Sequence, residues 1–263
     1  MVKFCSLFSG STGNALFIGT EKTKLLIDAG LSGKRIIEAL CSIGEDPSEL
    51  SAILISHEHV DHVRGAGIVS RKSNIPIYAN EATWGAMEYG LGPVKLENRV
   101  AFCTGEGFEI GDICVKPFAI PHDASEPVGF NFFVQGKRIT TATDIGHMND
   151  ELLSQIEGTD LLLLESNHDV EMLKVGPYPW ALKKRIMGDD GHLSNENAAK
   201  VIAYLAEKGG KRFILGHLSN ENNFPELAYL TTLNALSEKK IAVGCDVTLE
   251  VALRDRVGHM NIL

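Results

Sequence analysis

The sequence predicts an α+β protein of β-sheets packed together with helices on the outer faces. Three observations carry this reading. Short apolar, β-branched runs recur along the whole chain, amphipathic helical patterns stand between them, and no linker or low-complexity tract divides the 263 residues. At 44% hydrophobic and 22% charged, the chain can build a substantial core. It reads as one domain over 1–263.

The elements follow in order. "LFIG" (16–19) and "LLID" (25–28) are strands, and "LSGKRIIEALCSIG" is a helix with Ser32 as N-cap and Ile36, Ile37 and Leu40 on one face. "AILIS" (52–56), "IPIYA" (75–79) and "ICVKPFAIP" (113–121) are further strands. "GFNFFVQ" (129–135) and "RITTATD" (138–144) are joined by a hairpin turn at "VQGKR". "DLLLLES" (160–166), "RFILGH" (212–217) and "TLEVALR" (248–254) complete the strands. "SNENAAKVIAYLAEKGG" is a helix capped at Ser194/Asn195 and stopped at Gly209-Gly210, and "NFPELAYLTTLNALSEKK" is another.

A formal net charge of -9 repels nucleic acid and anionic membranes, which argues against a passive nucleic-acid-binding module. It does not argue against an enzyme, because bound cations dominate the field near a site. The five cysteines are odd in number and scattered with no CxxC, so they read as reduced, mostly buried apolar residues. "MVKFCSLFSG" is too short for a signal peptide, and no run reaches ~18 apolar residues. A soluble cytoplasmic protein is expected, with no membrane partner and no evident obligate protein partner.

The chemistry concentrates in "AILISHEHVDHVRGAG". His57, His59, Asp61 and His62 fall within six residues after a strand. Alternation puts His57 and His59 on one side, where two imidazoles can hold one cation; Asp61 and His62 begin the next turn and face a second. This H-x-H-x-D-H stretch resembles the metallo-β-lactamase superfamily. That superfamily also uses a later His, a later Asp and a final His at strand ends, supplied here by His122 of "FAIPH", Asp144 of "ITTATD" and His217 of "FILGH".

The resemblance implies a four-layer αββα sandwich holding two divalent metal ions (Zn, Mn or Fe). His57, His59 and His122 would hold one, Asp61, His62 and His217 the other, and Asp144 would bridge them. A metal-bridging hydroxide would attack phosphorus or a carbonyl, with Asp61 and His192 as the catalytic residues. "ESNHDVEML", "YPWALKKRIMGDDGHLSNENAA" and "GHLSNENNFPELA" resemble the compact YycJ/WalJ-type branch, and no arm or inserted domain of other branches is visible. That branch implies a 5′→3′ exonuclease acting on DNA. The alternative is a small-molecule hydrolase (thioester, lactam or cyclic phosphodiester) on the same metals. A purely regulatory metal-binding protein would not need the complete ligand set.

Other segments keep two readings each. "GHLSNEN" occurs at 191–197 and 216–222; the second copy ends a strand, the first follows a polar turn and opens a helix, so they are not a structural repeat. His192, before a helix start that favours the neutral imidazole, is a proton relay or part of a capping turn. In "LLLLESNHDVEML", Glu165, Asn167, His168 and Asp169 hydrogen-bond to ligands or substrate, or the stretch is a turn capped by Asn167 or Asp169. In "FSGSTGNALFI", Ser11 and Asn14 belong to a phosphate-binding loop or a tight hairpin. Lys183, Lys184 and Arg185, near Tyr178 and Trp180, form a polynucleotide-binding rim or a solvated helix face.

Overall fold

In the computed structural model, which describes residues 1–263, two seven-stranded sheets face each other. The first is built from β1 (Lys3–Phe8), β2 (Ala15–Gly19), β3 (Lys24–Ile27), β4 (Ala52–Leu54), β5 (Ile77–Ala79) and β6 (Arg99–Ala101). The second contains β7 (Phe108–Ile110), β8 (Ile113–Ala119), β9 (Val128–Val134), β10 (Lys137–Ala142), β11 (Leu161–Glu165), β12 (Arg212–Gly216) and β13 (Thr248–Val251). The last strand, β14 (Met260–Ile262), returns to pair with β1. Each sheet is mixed: pairing is antiparallel from β14 through β3 and from β7 through β10, then parallel from β3 to β6 and from β10 to β13. The expected hairpin turn is present, with Gln135 (φ 50°) and Gly136 (φ 73°) supplying the two left-handed residues such a turn requires.

Helices α1 (Gly33–Ser42), α2 (Val60–Val63), α3 (Ala66–Ser73) and α4 (Glu81–Leu91) follow strands of the first sheet. The second sheet is followed by α5 (Asp150–Ile156), α6 (Val170–Val175), α7 (Trp180–Ile186), α8 (Asn195–Glu207) and α9 (Pro225–Glu238). Ser32 and Ser194 cap α1 and α8 as the sequence predicts, accepting from Arg35 N and Asn197 N.

Strand alternation sorts the apolar residues into three layers. Phe4, Ile18, Leu25, Phe130, Phe132, Leu161, Leu163 and Ile214 fill the space between the sheets. Leu162, Leu164, Phe213 and Leu215 point the other way, under Ile202 and Leu205 of α8 and Leu236 of α9. Leu7, Phe17, Leu26 and Ile53 meet Ile36, Val69 and Trp84 on the far side of the first sheet. Strands buried on both faces read as unbroken apolar runs, which explains the "LLLL" of β11. The result is the αββα sandwich. No helix is long and apolar enough to cross a membrane.

One expectation fails here. Only Cys5 is buried; Cys41, Cys103 and Cys245 are exposed and Cys114 is half-buried, all with free thiols. They stand at helix ends, turns and the second sheet's outer strands, where nothing covers them.

Candidate metal centre

The parallel strands of both sheets end at the same edge of the sandwich, where open α/β sheets place ligands. Past β3 comes Asp28, past β4 His57, past β10 Asp144, past β12 His217, and β11 ends at Glu165. Asp28 (φ 57°), Asp144 (φ 62°) and His217 (φ 54°) are non-glycine residues in the left-handed region. Such backbone is costly and turns each side chain inward from the strand end.

His57, His59 and His122 bring one ligand atom each within 4.8 Å of one another, and so do Asp61, His62 and His217. Asp144 stands between the two sets. Its Oδ1 is 3.7 Å from His122 Nε2, while its Oδ2 is 3.3 Å from His62 Nε2 and 3.2 Å from His217 Nδ1. All seven residues expected from sequence are therefore gathered, in the expected two groups with the carboxylate between.

Hydrogen bonds from behind fix the rings. His122 Nδ1 donates to Gly191 O (3.1 Å), and His62 Nδ1 donates to Asp28 Oδ2 (2.8 Å). Ser56 Oγ donates to Asp28 Oδ2 (2.9 Å) and accepts from His57 Nδ1 (3.0 Å). This orients one nitrogen of each of these rings towards the shared centre, the outer-shell arrangement typical of metal-bound histidines. Asp28 and Ser56 are not among the residues that the sequence pattern singles out. The signal was present, since "LLID" ends in an acid as "ITTATD" does.

The residues fit a pair of cations. His57 Nε2 is buried and has no hydrogen-bond partner, and Asp144 Oδ2 and His217 Nδ1, buried 3.2 Å apart, make no well-formed hydrogen bond. Leaving such atoms unpaired is costly unless something binds them. Burial and the neighbouring His62 push His57 well below the ordinary histidine value, which leaves its nitrogen free as a ligand. Burial opposes charge on Asp144, but His217 and His62 outweigh it and hold the carboxyl well below its usual range. Imidazoles that gave up their protons to bound cations, around a shared carboxylate, would suit divalent metals such as Zn, Mn or Fe.

The two heptads meet here. The rings of His192 and His217 lie 5.4 Å apart, and Asn195 of the first copy hydrogen-bonds to Asn223, just past the second. Their roles differ because their backgrounds differ. His217 follows β12, its N–H donating to Ser9 Oγ (2.8 Å) and its carbonyl accepting from Asn167 Nδ2 (3.0 Å). His192 lies two residues before the α8 cap, and its Nδ1 donates to Glu165 Oε1 (2.8 Å). Glu165 is fully buried, and its Oε2 accepts from the N–H groups of Ile145 and Leu193. Against the neutral ring expected from a helix start, burial lowers the pKa of His192 but Glu165 and Asp144 prevail and raise it to about 9. A carboxylate in direct contact outweighs a helix end that the ring does not touch.

The remaining candidates divide. Asn14 is buried, its Nδ2 lying 3.0 Å from His62 Nε2. Asn167 is buried behind His217, and His168 is only 2% exposed, with burial pushing its pKa down to about 4. These three are buried, whereas Ser11 is exposed. Asp169 caps α6 by accepting from Met172 N, as the turn reading of that stretch has it. Lys183 is not on the rim; it is buried with Nζ donating to Lys174 O (2.7 Å), because it falls on the face of α7 that meets the body. Lys184 is exposed near Trp180, and Arg185 is paired with Asp123 beside His122.

Residues 23–218, more than half of the chain, match the Beta-lactamase superfamily domain. The exodeoxyribonuclease YycJ of Bacillus anthracis is 44% identical over 242 residues, covering 92% of this chain and 91% of that protein.

The chain belongs to the metallo-β-lactamase superfamily, in its YycJ/WalJ branch.

The exodeoxyribonuclease WalJ of Streptococcus pneumoniae (strain D39) is likewise 44% identical over 246 residues, covering 93% of this chain and 91% of that protein. Zn(2+)-bound PqqB from Methylobacterium extorquens shares the metallo-β-lactamase fold at a TM-score of 0.72 and 17% identity, over 98% of this chain and 100% of its own.

Proposed function

We propose that this chain is a metal-dependent nuclease that removes nucleotides from DNA in the 5′→3′ direction. The observation that carries the proposal is the geometry of the centre: two ligand triads flank one carboxylate, and His192, hydrogen-bonded to the buried Glu165, stands beside them. The end-to-end likeness to two proteins named exodeoxyribonucleases supports DNA as the substrate.

Hydrolysis of a phosphodiester needs an attacking water, neutralisation of charge on phosphorus, and a proton for the leaving oxygen. Two divalent cations, held by His57, His59 and His122, by Asp61, His62 and His217, and by Asp144 between, would supply Lewis acidity and a water of lowered pKa. The chain's own residues do the rest. Asp61 and His59 are the ligands that reach the half-exposed mouth, where the Asp61 carboxylate accepts the proton lost by the water. His192, held charged by Glu165, donates a proton to the leaving 3′-oxygen. Asp28 and Ser56 keep the ligand rings in place.

The test is digestion of single-stranded DNA labelled at either end. The proposal expects mononucleotide release from a 5′ label at the earliest times, while a 3′ label stays on long fragments. Early loss of the 3′ label would reverse the direction. Inert DNA beside rapid cleavage of a lactam or thioester would favour the small-molecule reading.

A further inference from the structure

The cations that the sequence pattern placed on the rim are largely used up, since Lys183 is buried and Arg185 is paired with Asp123. Uncompensated positive charge lies on another wall of the mouth. The loop between β1 and β2 runs directly over the second ligand set: Ser9 Oγ accepts from His217 N, Asn14 Nδ2 reaches His62, and Asn14 N donates to Asp61 O (2.8 Å). Arg254 lies against this loop. A side chain added at Gly10 would come 2.4 Å from Arg254 Cγ, and Arg254 Nη1 donates to Ser219 O (2.8 Å), two residues past His217. Arg35 joins the same wall, its guanidinium over the Phe8 ring at 4.8 Å and its Nη2 donating to Asp255 O (3.3 Å).

Neither guanidinium forms an ion pair; Asp255 meets Arg35 only through its carbonyl. At the loop tip, the exposed residues Ser11 and Thr12 leave their hydroxyls and the Thr12 N–H without protein partners, whereas Gly10 is bridged to Leu218 and Gly13 and Asn14 have their N–H groups engaged within the structure. One free amide, two hydroxyls and two guanidiniums outside any ion pair, in an otherwise acidic chain, make a surface for a tetrahedral oxyanion.

We propose that Ser11, Thr12, Arg35 and Arg254 form a phosphate-binding subsite beside the metal centre, which holds a phosphate of the DNA strand other than the one being cleaved. The subsite rests on the nuclease reading. It positions the strand through a charged contact that a small phosphodiester cannot make.

Steady-state kinetics on a single-stranded oligonucleotide and on bis(p-nitrophenyl) phosphate test this with the metal-loaded protein. Arg254→Gln should raise KM for the oligonucleotide by about tenfold or more, with a much smaller change in kcat and in turnover of the small substrate. Ser11→Asp places a repelling charge at an exposed position that the fold does not need, and it should act in the same direction. Arg254→Lys should recover part of the loss, and the effect of Arg254→Gln should fade at high salt. Lys211→Gln, the same charge change at the opposite end of β12, should leave KM within about twofold under the same screening. Oligonucleotides with a 5′-phosphate or a 5′-hydroxyl separate the sources. A penalty confined to the phosphorylated strand assigns a terminal phosphate, and an equal penalty assigns an internal one. Unchanged KM in both Arg254→Gln and Ser11→Asp, or equal losses on both substrates, would overturn the subsite. Wild-type protein that cleaves the small ester but no oligonucleotide would instead overturn the nuclease reading.

Discussion

Replacing His192 with alanine separates a proton donor from a capping turn. The change removes the ring from Glu165 Oε1 but leaves Oε2 bound to the N–H groups of Ile145 and Leu193. One buried acceptor loses its partner, which costs about 1–3 kcal/mol against a typical total stability of about 5–15 kcal/mol. The variant should therefore fold. Its metals should stay, because the two triads and Asp144 are complete without His192. Turnover on DNA should fall by about 10²–10⁴-fold, equivalent to about 2.7–5.4 kcal/mol of barrier. On a p-nitrophenyl phosphodiester, whose leaving group departs without a proton, most of that loss should vanish. The assay is kcat on both substrates beside elemental analysis of the same preparation. Normal turnover on DNA with full metal would leave His192 as a turn residue. Loss of metal would make it a ligand, since it also clusters with Asp144, Glu165 and His217.

Three further outcomes are expected. Asp144→Ala should weaken both metal sites together, because its two oxygens face the two sets; full loading by elemental analysis would remove its bridging role. Gly30→Ala should destabilise the fold by about 1–3 kcal/mol and lower metal content, since the new Cβ would lie 1.6 Å from Asp61 O; an unchanged Tm and metal content would contradict that contact. Burial opposes charge on Glu45, but Lys24 and Lys3, at 2.6 and 2.7 Å, outweigh it and hold the carboxyl below its ordinary value. A depressed folded pKa stabilises above the unfolded value and is lost as pH falls through the folded one. The Tm gap between wild type and Glu45→Gln should thus be present at neutral pH and close below about pH 4; a constant gap would mean the side chain acts through packing.

Four of the ligands, His57, His122, Asp144 and His217, were legible because each follows an apolar run, so one rule of strand geometry placed His57, Asp144 and His217 at a common edge. What stayed hidden depends on residues distant in sequence. The orientation of His192 comes from Glu165, 27 positions earlier, and that of His62 from Asp28, 34 positions earlier. Lys183 shows the limit of composition: a cluster of cations on one short helix necessarily splits between its buried and open faces. The exposed cysteines make the same point, since a small apolar side chain follows wherever the backbone goes.

The central claim is that two cations held by one bridging carboxylate carry out the hydrolysis. Titrating metal-free protein with a divalent metal, while following release of mononucleotides from DNA, tests it most directly. The account predicts a rate that climbs to a plateau at two equivalents per chain, with no comparable plateau for Asp144→Ala. Full activity at one equivalent, or activity that persists in the metal-free protein, would contradict it.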